Sequence, residues 1–164
     1  MAFRGSNTFE SFLIDLQSAV LTPYKNVTGA SVGLGFYKEW VALIPQVMPE
    51  VKKLSQQYPS YSVWVTGHSL GGALATLCAL DLQTELQINA TVYTYGSPRV
   101  GNVAFAQYYD SLVPNTFRIV NGQDIIPHLP LKTMNFYHVA TEVWENPSEC
   151  KSHHNGLTPL TDPL

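Results

Sequence analysis

Apolar positions along the chain recur with two different periods, and the alternation between them outlines the elements. Phe36, Trp40, Ile44, Val47, Val51 and Leu54 follow one another at steps of four or three. That spacing lines one face of a helix, here expected from about Phe36 to Tyr58. Pro45 and Pro49 fall inside it; each removes a backbone donor, so a kink or break is expected there. Tyr61 to Thr66 reads as a short strand rich in β-branched and aromatic residues. Leu70, Ala73, Leu74, Leu77 and Cys78 open a second helical face that runs to about Leu86. Ala90 to Tyr95 is a further strand, stopped by Gly96-Ser97-Pro98. Asn102 to Leu112 has helical spacing, and Phe117 to Val120 and Tyr137 to Trp144 complete the strand candidates. From Asn146 to Leu164, Asn, Pro, Ser, Lys and His dominate, and an irregular tail is expected. Helical and extended segments alternate without repeat or linker, which predicts one α/β layered domain over residues 1–164.

Composition narrows the class. The 164 residues are 45% apolar, 12% aromatic and only 13% charged, against roughly 25% charged in an average globular chain. A disordered or heavily solvated scaffold is excluded on those grounds. Nine Lys and Arg against twelve Asp and Glu give a net charge of −3, and no basic block exists to hold a nucleic acid. No apolar run approaches the roughly 18 residues of a spanning helix, so no transmembrane segment is expected, and the N-terminus lacks the apolar stretch of a signal peptide. Cys78 and Cys150 have no metal-ligand spacing, so neither metal nor cofactor is expected. Asn26-Val27-Thr28 and Asn89-Ala90-Thr91 permit glycosylation if the protein is secreted.

One segment carries chemistry. Gly67-His68-Ser69-Leu70-Gly71 is a GxSxG motif between a strand and a helix, the context of a nucleophile elbow. A serine on so tight a turn needs glycines on either side, where side chains would clash. The backbone N–H of Leu70, at the helix N-terminus, then faces a developing oxyanion. A serine nucleophile needs a base, and the base an orienting carboxylate. Asp124 stands at the end of the Phe117–Val120 strand, before Ile125-Ile126-Pro127; alone, it fits a turn-capping Asp as well as a catalytic acid.

Four segments taken in order make the pattern specific: Phe3-Arg4-Gly5-Ser6, Thr66 to Ala73, Tyr95-Gly96-Ser97-Pro98-Arg99-Val100-Gly101-Asn102, and Asp124-Ile125-Ile126-Pro127-His128-Leu129-Pro130. Together they resemble the signature segments of the fungal-type class 3 lipases, a family that also includes feruloyl esterases. The resemblance implies an α/β-hydrolase-type three-layer sandwich with a mostly parallel central sheet. It implies a Ser-His-Asp triad with Ser69 as nucleophile and Asp124 as acid, and an oxyanion hole formed by Ser6 and Leu70. The substrate it implies is an ester or lipid, met at a lipid–water interface, and the setting extracellular.

Residues 7–15 correspond to that family's lid. Phe9, Phe12, Leu13 and Leu16 fall at helical spacing, either the apolar face of such a lid or ordinary core positions. This face leans toward a lipase; feruloyl or another carboxylesterase activity is the alternative. Gly33 departs from the family pattern, which has a His there, and the change reads as one of packing.

The base is the gap in the pattern. His68 is the variable residue of the elbow, whose side chain the resemblance turns away from the acyl site; His128 and His138 read as structural. His153 and His154 follow Asp124 in chain order, but Lys151-Ser152-His153-His154-Asn155 lacks the Asp-His-x-x-Tyr context of the family, which leaves His154 a weak candidate. The expectation is a catalytic domain incomplete at both ends, and a truncated, non-catalytic lipase-like fragment is the alternative from outside the enzymes.

Overall fold

The structure, a computed structural model, describes residues 1–6, 9–146 and the backbone of 158–160. In chain order the elements are β1 (Ala2–Phe3), α1 (Phe9–Gln17), β2 (Leu21–Pro23), β3 (Ser31–Gly33), α2 (Leu34–Gln57), β4 (Val63–His68), α3 (Leu70–Leu86), β5 (Ala90–Tyr95), α4 (Val103–Leu112), β6 (Thr116–Asn121), β7 (Glu142–Glu145) and β8 (Thr158–Leu160). Six strands form one sheet in the order β1-β4-β5-β6-β7-β8, parallel from β1 to β7, with β8 antiparallel at the edge. A mostly parallel sheet with helices is the architecture expected.

The order explains where the helices go. From β1 to β7 every crossover steps the same way across the sheet, and right-handed crossovers that progress in one direction fall on one face. Accordingly α3 packs on β1, β4 and β5, with α2 and α4 against it. Val65, Val92 and the fully buried stretch of α3 form this core, with Trp40 of α2 and Phe105 and Tyr109 of α4. The other face carries Trp64, Tyr93 and Phe117, stacked across β4, β5 and β6 at 5.5 and 5.1 Å. Of the three layers expected, the described residues supply the sheet and one helical layer.

Several elements depart from the sequence pattern for identifiable reasons. α2 runs unbroken through Pro45 and Pro49. Both prolines, and Val41 four residues before Pro45, are exposed, so the carbonyls they leave unpaired turn to water. Leu54, the last residue of the apolar face read from the periodicity, is 43% exposed, whereas Met48, outside that face, is buried. The strand expected at Tyr137–Trp144 is confined to β7, with Tyr137 making only an isolated bridge to Gly101. Within the tail expected to be irregular, Thr158–Leu160 forms β8 against β7. The small β2–β3 hairpin is absent from the sequence reading. No helix among the described residues is long and apolar enough to cross a membrane.

Candidate active site

Ser69 sits between the last residue of β4 and the first of α3, at φ 56° and ψ −124°. A non-glycine residue there is strained and persists only where its surroundings impose it. The imposing contacts are glycine contacts. A Cβ on Gly67 would run into the carbonyl of Gly71, and one on Gly71 into the carbonyl of Phe3. A Cβ on Gly72 would press on Ser97 at 2.8 Å. Three glycines thus let β1, β4, α3 and the loop after β5 approach at backbone distance. The Ser69 N–H is tied to the carbonyl of Tyr95 at 3.0 Å, and its side chain makes no capping bond to α3. Although Ser69 is buried, its hydroxyl is not consumed by the helix it precedes.

Leu70 is the first residue of α3, so no preceding turn takes its N–H, which stands at the positive end of the helix beside Ser69. The chain leaving β1 passes the same point. A Cβ on Gly5 would lie 2.8 Å from the carbonyl of His68 and 3.5 Å from Cβ of Ser69. Ser6 therefore emerges directly beside the elbow, although the two segments are more than sixty residues apart in sequence.

Asp124 comes to the same place from β6. Its Oδ1 accepts the N–H of Ile126 at 3.0 Å, the turn-capping role that its sequence context allowed. Its Oδ2 points elsewhere. A Cβ on Gly96, which has φ +52°, would stand 2.5 Å from Oδ2 of Asp124 and 3.5 Å from Nε2 of His68. One oxygen of this side chain thus caps the turn while the other faces Gly96 near Nε2 of His68. Sequence reasoning took Gly96 only as a strand stop and gave His68 no place beside Asp124. The signal available for Gly96 was a glycine at the carboxyl end of a parallel strand, where such sheets gather their functional groups.

The remaining histidines divide. Nε2 of His138 pairs with the carbonyl of Pro127 at 2.6 Å. Burial, reinforced by the positive charge of Arg118, holds its imidazole well below the usual histidine range, hence neutral. The side chain of His128 is exposed, while its carbonyl takes Nη1 of Arg99. His153 and His154, like Cys150 and the first residues of the lid segment, Asn7 and Thr8, lie outside the described residues. In α1, which occupies most of the lid segment, Phe12 and Leu16 are buried against the body while Ile14 is exposed. At Gly33 a Cβ would meet the Phe36 ring at 2.8 Å, so the departure noted there does act on packing.

Comparison with known proteins identifies the family to which this fold belongs. The chain is 43% identical over 148 residues to a lipase of Rhizomucor miehei, covering 88% of this chain and 40% of that protein. It is 38% identical over 144 residues to a secreted mono- and diacylglycerol lipase A of Penicillium cyclopium, covering 88% and 47%. A solved triacylglycerol lipase, described as having a serine protease triad as its catalytic centre, superposes with a TM-score of 0.82 at 42% identity, covering 87% of this chain and 55% of that one. The chain therefore spans about half the length of the relatives it matches. Residues 1–134 match the family described as Lipase (class 3), and with the elbow, the sheet order and these likenesses together, the chain belongs to the class 3 lipase family.

Proposed function

We propose that this chain carries the reaction centre of a serine ester hydrolase that cleaves the carboxylic esters of acylglycerol-type lipids. The observation that carries the reading is the convergence at Ser69: a strained serine whose hydroxyl does not cap the helix it precedes, a helix-terminal N–H beside it and a carboxylate across Gly96. The lipase names of the relatives support the substrate class, and the secreted Penicillium relative supports an extracellular setting.

In this mechanism Oγ of Ser69 bonds to the ester carbonyl carbon while its proton passes to a histidine base. The N–H of Leu70 and the Ser6 residue hold the oxyanion. The alcohol departs with the proton from the base, leaving an acyl-enzyme, and water then repeats the sequence to release the fatty acid. Asp124 orients the base and stabilises its cation. His154 is the candidate base. α1 is the lid, its buried Phe12 and Leu16 forming the apolar face that moves to a lipid surface on opening.

The experiment is covalent labelling by a fluorophosphonate, which reports an activated serine irrespective of substrate. Labelling of the native chain, abolished by Ser69→Ala and slowed by on the order of 10⁴ or more in Asp124→Asn, is expected. Equal labelling of Ser69→Ala would overturn the assignment, and a silent native chain would favour the non-catalytic alternative. Comparing an emulsified triacylglycerol with a soluble feruloyl ester separates lipase from aromatic esterase, and His154→Ala tests the base.

A further inference from the structure

Between the loop after β5 and the turn that follows Asp124, one residue does most of the holding. Pro127 and Pro130 bring no N–H to the stretch from Ile125 to Pro130, so its carbonyls cannot all be satisfied from within and need donors from outside. The carbonyls of Ile125 and Ile126 take the N–H groups of His128 and Leu129 inside the turn, each at 3.0 Å. The rest are gripped from elsewhere. Nε2 of His138 meets the carbonyl of Pro127 at 2.6 Å. Arg99 supplies everything that remains. Its Nη1 donates to the carbonyls of His128 at 2.5 Å and Pro130 at 2.9 Å, and its backbone N–H to that of Leu129 at 2.8 Å.

We propose that Arg99 is a positioning residue that sets Asp124 against Ser69. At one end it stands in the segment that holds the elbow: Tyr95 accepts the Ser69 N–H at 3.0 Å, and Ser97 lies against Gly72 in the first turn of α3. At the other end it fixes the 3-10 turn Ile126–His128, whose first N–H is bonded by Oδ1 of Asp124 at 3.0 Å. Turn and carboxylate therefore move together. Ser69 follows β4 and Asp124 follows β6, so the sheet alone sets their strands but not their loops; Arg99 ties one loop to the other. The residue type fits the task. A guanidinium presents a rigid planar fork of donors and is weakly hydrated, so it can be buried among carbonyls where an ammonium cannot span them, and Arg99 is only 8% exposed. As a statement about rate this rests on Ser69 and Asp124 being nucleophile and acid; as a statement about what holds the Asp124 turn it does not.

The test reads fluorophosphonate labelling of Ser69 and amide hydrogen exchange on the same variants. Arg99→Met keeps the stem and the backbone N–H but removes the fork, and should slow labelling by about tenfold or more. In an Asp124→Asn background the same substitution should cost less than about twofold, because its effect passes through the carboxylate. Losses that multiply would show general support of the fold and overturn the proposal. Arg99→Ala opens onto a cavity of about 370 Å³ lined also by His128, His138 and Trp144. Methylguanidinium should therefore restore labelling in Arg99→Ala but not in Arg99→Ala/Asp124→Asn, with sodium chloride as the ionic-strength control. Arg99→Lys keeps the charge where the neutral variants fail to fold, and should still lose about threefold or more with the same dependence on Asp124. Exchange of the Ile126 N–H should quicken by about tenfold or more in Arg99→Met, while that of Val92 in β5 stays as in the native chain. Unchanged exchange at Ile126 would overturn the proposal whether or not Ser69 labels. Quickened exchange in a chain whose Ser69 is silent to the probe would uphold the Arg99 link and count against the hydrolase reading instead.

Discussion

Gly96 and Asp124 occupy one another's space: a Cβ on the glycine would stand 2.5 Å from Oδ2 of the aspartate. The residue before Gly96, Tyr95, accepts the Ser69 N–H at 3.0 Å. One dipeptide at the end of β5 therefore holds the elbow with its carbonyl and makes room for the carboxylate. Gly96→Ala should displace the carboxylate while leaving Ser69 held, and a displacement of about 1 Å costs around 10²-fold in rate. The loss should appear in the labelling rate of Ser69, beside a stability cost of about 1 kcal/mol or more for an alanine held at positive φ. Undiminished labelling would separate Asp124 from the chemistry.

Gly71→Ala tests a different contact. Its Cβ would collide with the carbonyl of Phe3 in β1, a backbone atom that cannot rotate aside. β1 should detach from β4 and carry Ser6 away from the elbow. The expected result is a loss of at least 2 kcal/mol of stability and of Ser69 labelling together. A stable, labelling-competent Gly71→Ala would mean that the Phe3–Ser6 segment is dispensable.

Asp81, wholly buried in α3, accepts from Tyr24 at 2.6 Å, Lys25 at 2.6 Å and Trp40 at 2.9 Å. It therefore ties the β2–β3 connection and α2 to the central helix. Asp81→Ala would strand a buried phenol and indole and leave the Lys25 ammonium to Glu85 alone. Removing one member of such a buried set costs about 3–5 kcal/mol, measurable by denaturant unfolding. A loss below about 1 kcal/mol would show the cluster to be solvated.

Stability should be confined between two pH limits. Burial and the Asp81 charge hold the Tyr24 hydroxyl far above its ordinary value, and burial pushes the Cys78 thiol up to about 12. For Lys25, burial acts downward but the hydrogen bonds to Asp81 and Glu85 outweigh it, so its pKa is raised. In all three the folded chain keeps its proton longer than the unfolded chain does, so stability is full below the ordinary values and falls as pH rises above about 9. His138 has the opposite sign. Held neutral when folded, it favours the unfolded state, where it charges freely, as pH falls below about 6.5. Melting temperatures from pH 5 to 11 should show a plateau with both flanks. His138→Gln should lift the acid flank if the carbonyl of Pro127 keeps a donor.

Local pattern determined much of this protein. α3 and β5 begin and end where their periodicity does, because a helix buried along most of its length and a strand in a sheet both have to be apolar in register with their geometry. The glycines of the elbow were equally legible, since only glycine tolerates backbone against Cβ at Gly67 and Gly71. What sequence left open depended on partners distant in the chain. Where the second oxygen of Asp124 points depended on Gly96, nearly thirty residues earlier. The continuity of α2 turned on the exposure of Pro45 and Pro49, which periodicity does not report. The meeting of Lys25 with Asp81 needed the β2–β3 connection laid against α3. Sequence prescribes which atoms must avoid one another within a turn; only the packed sheet and helices decide which charges meet.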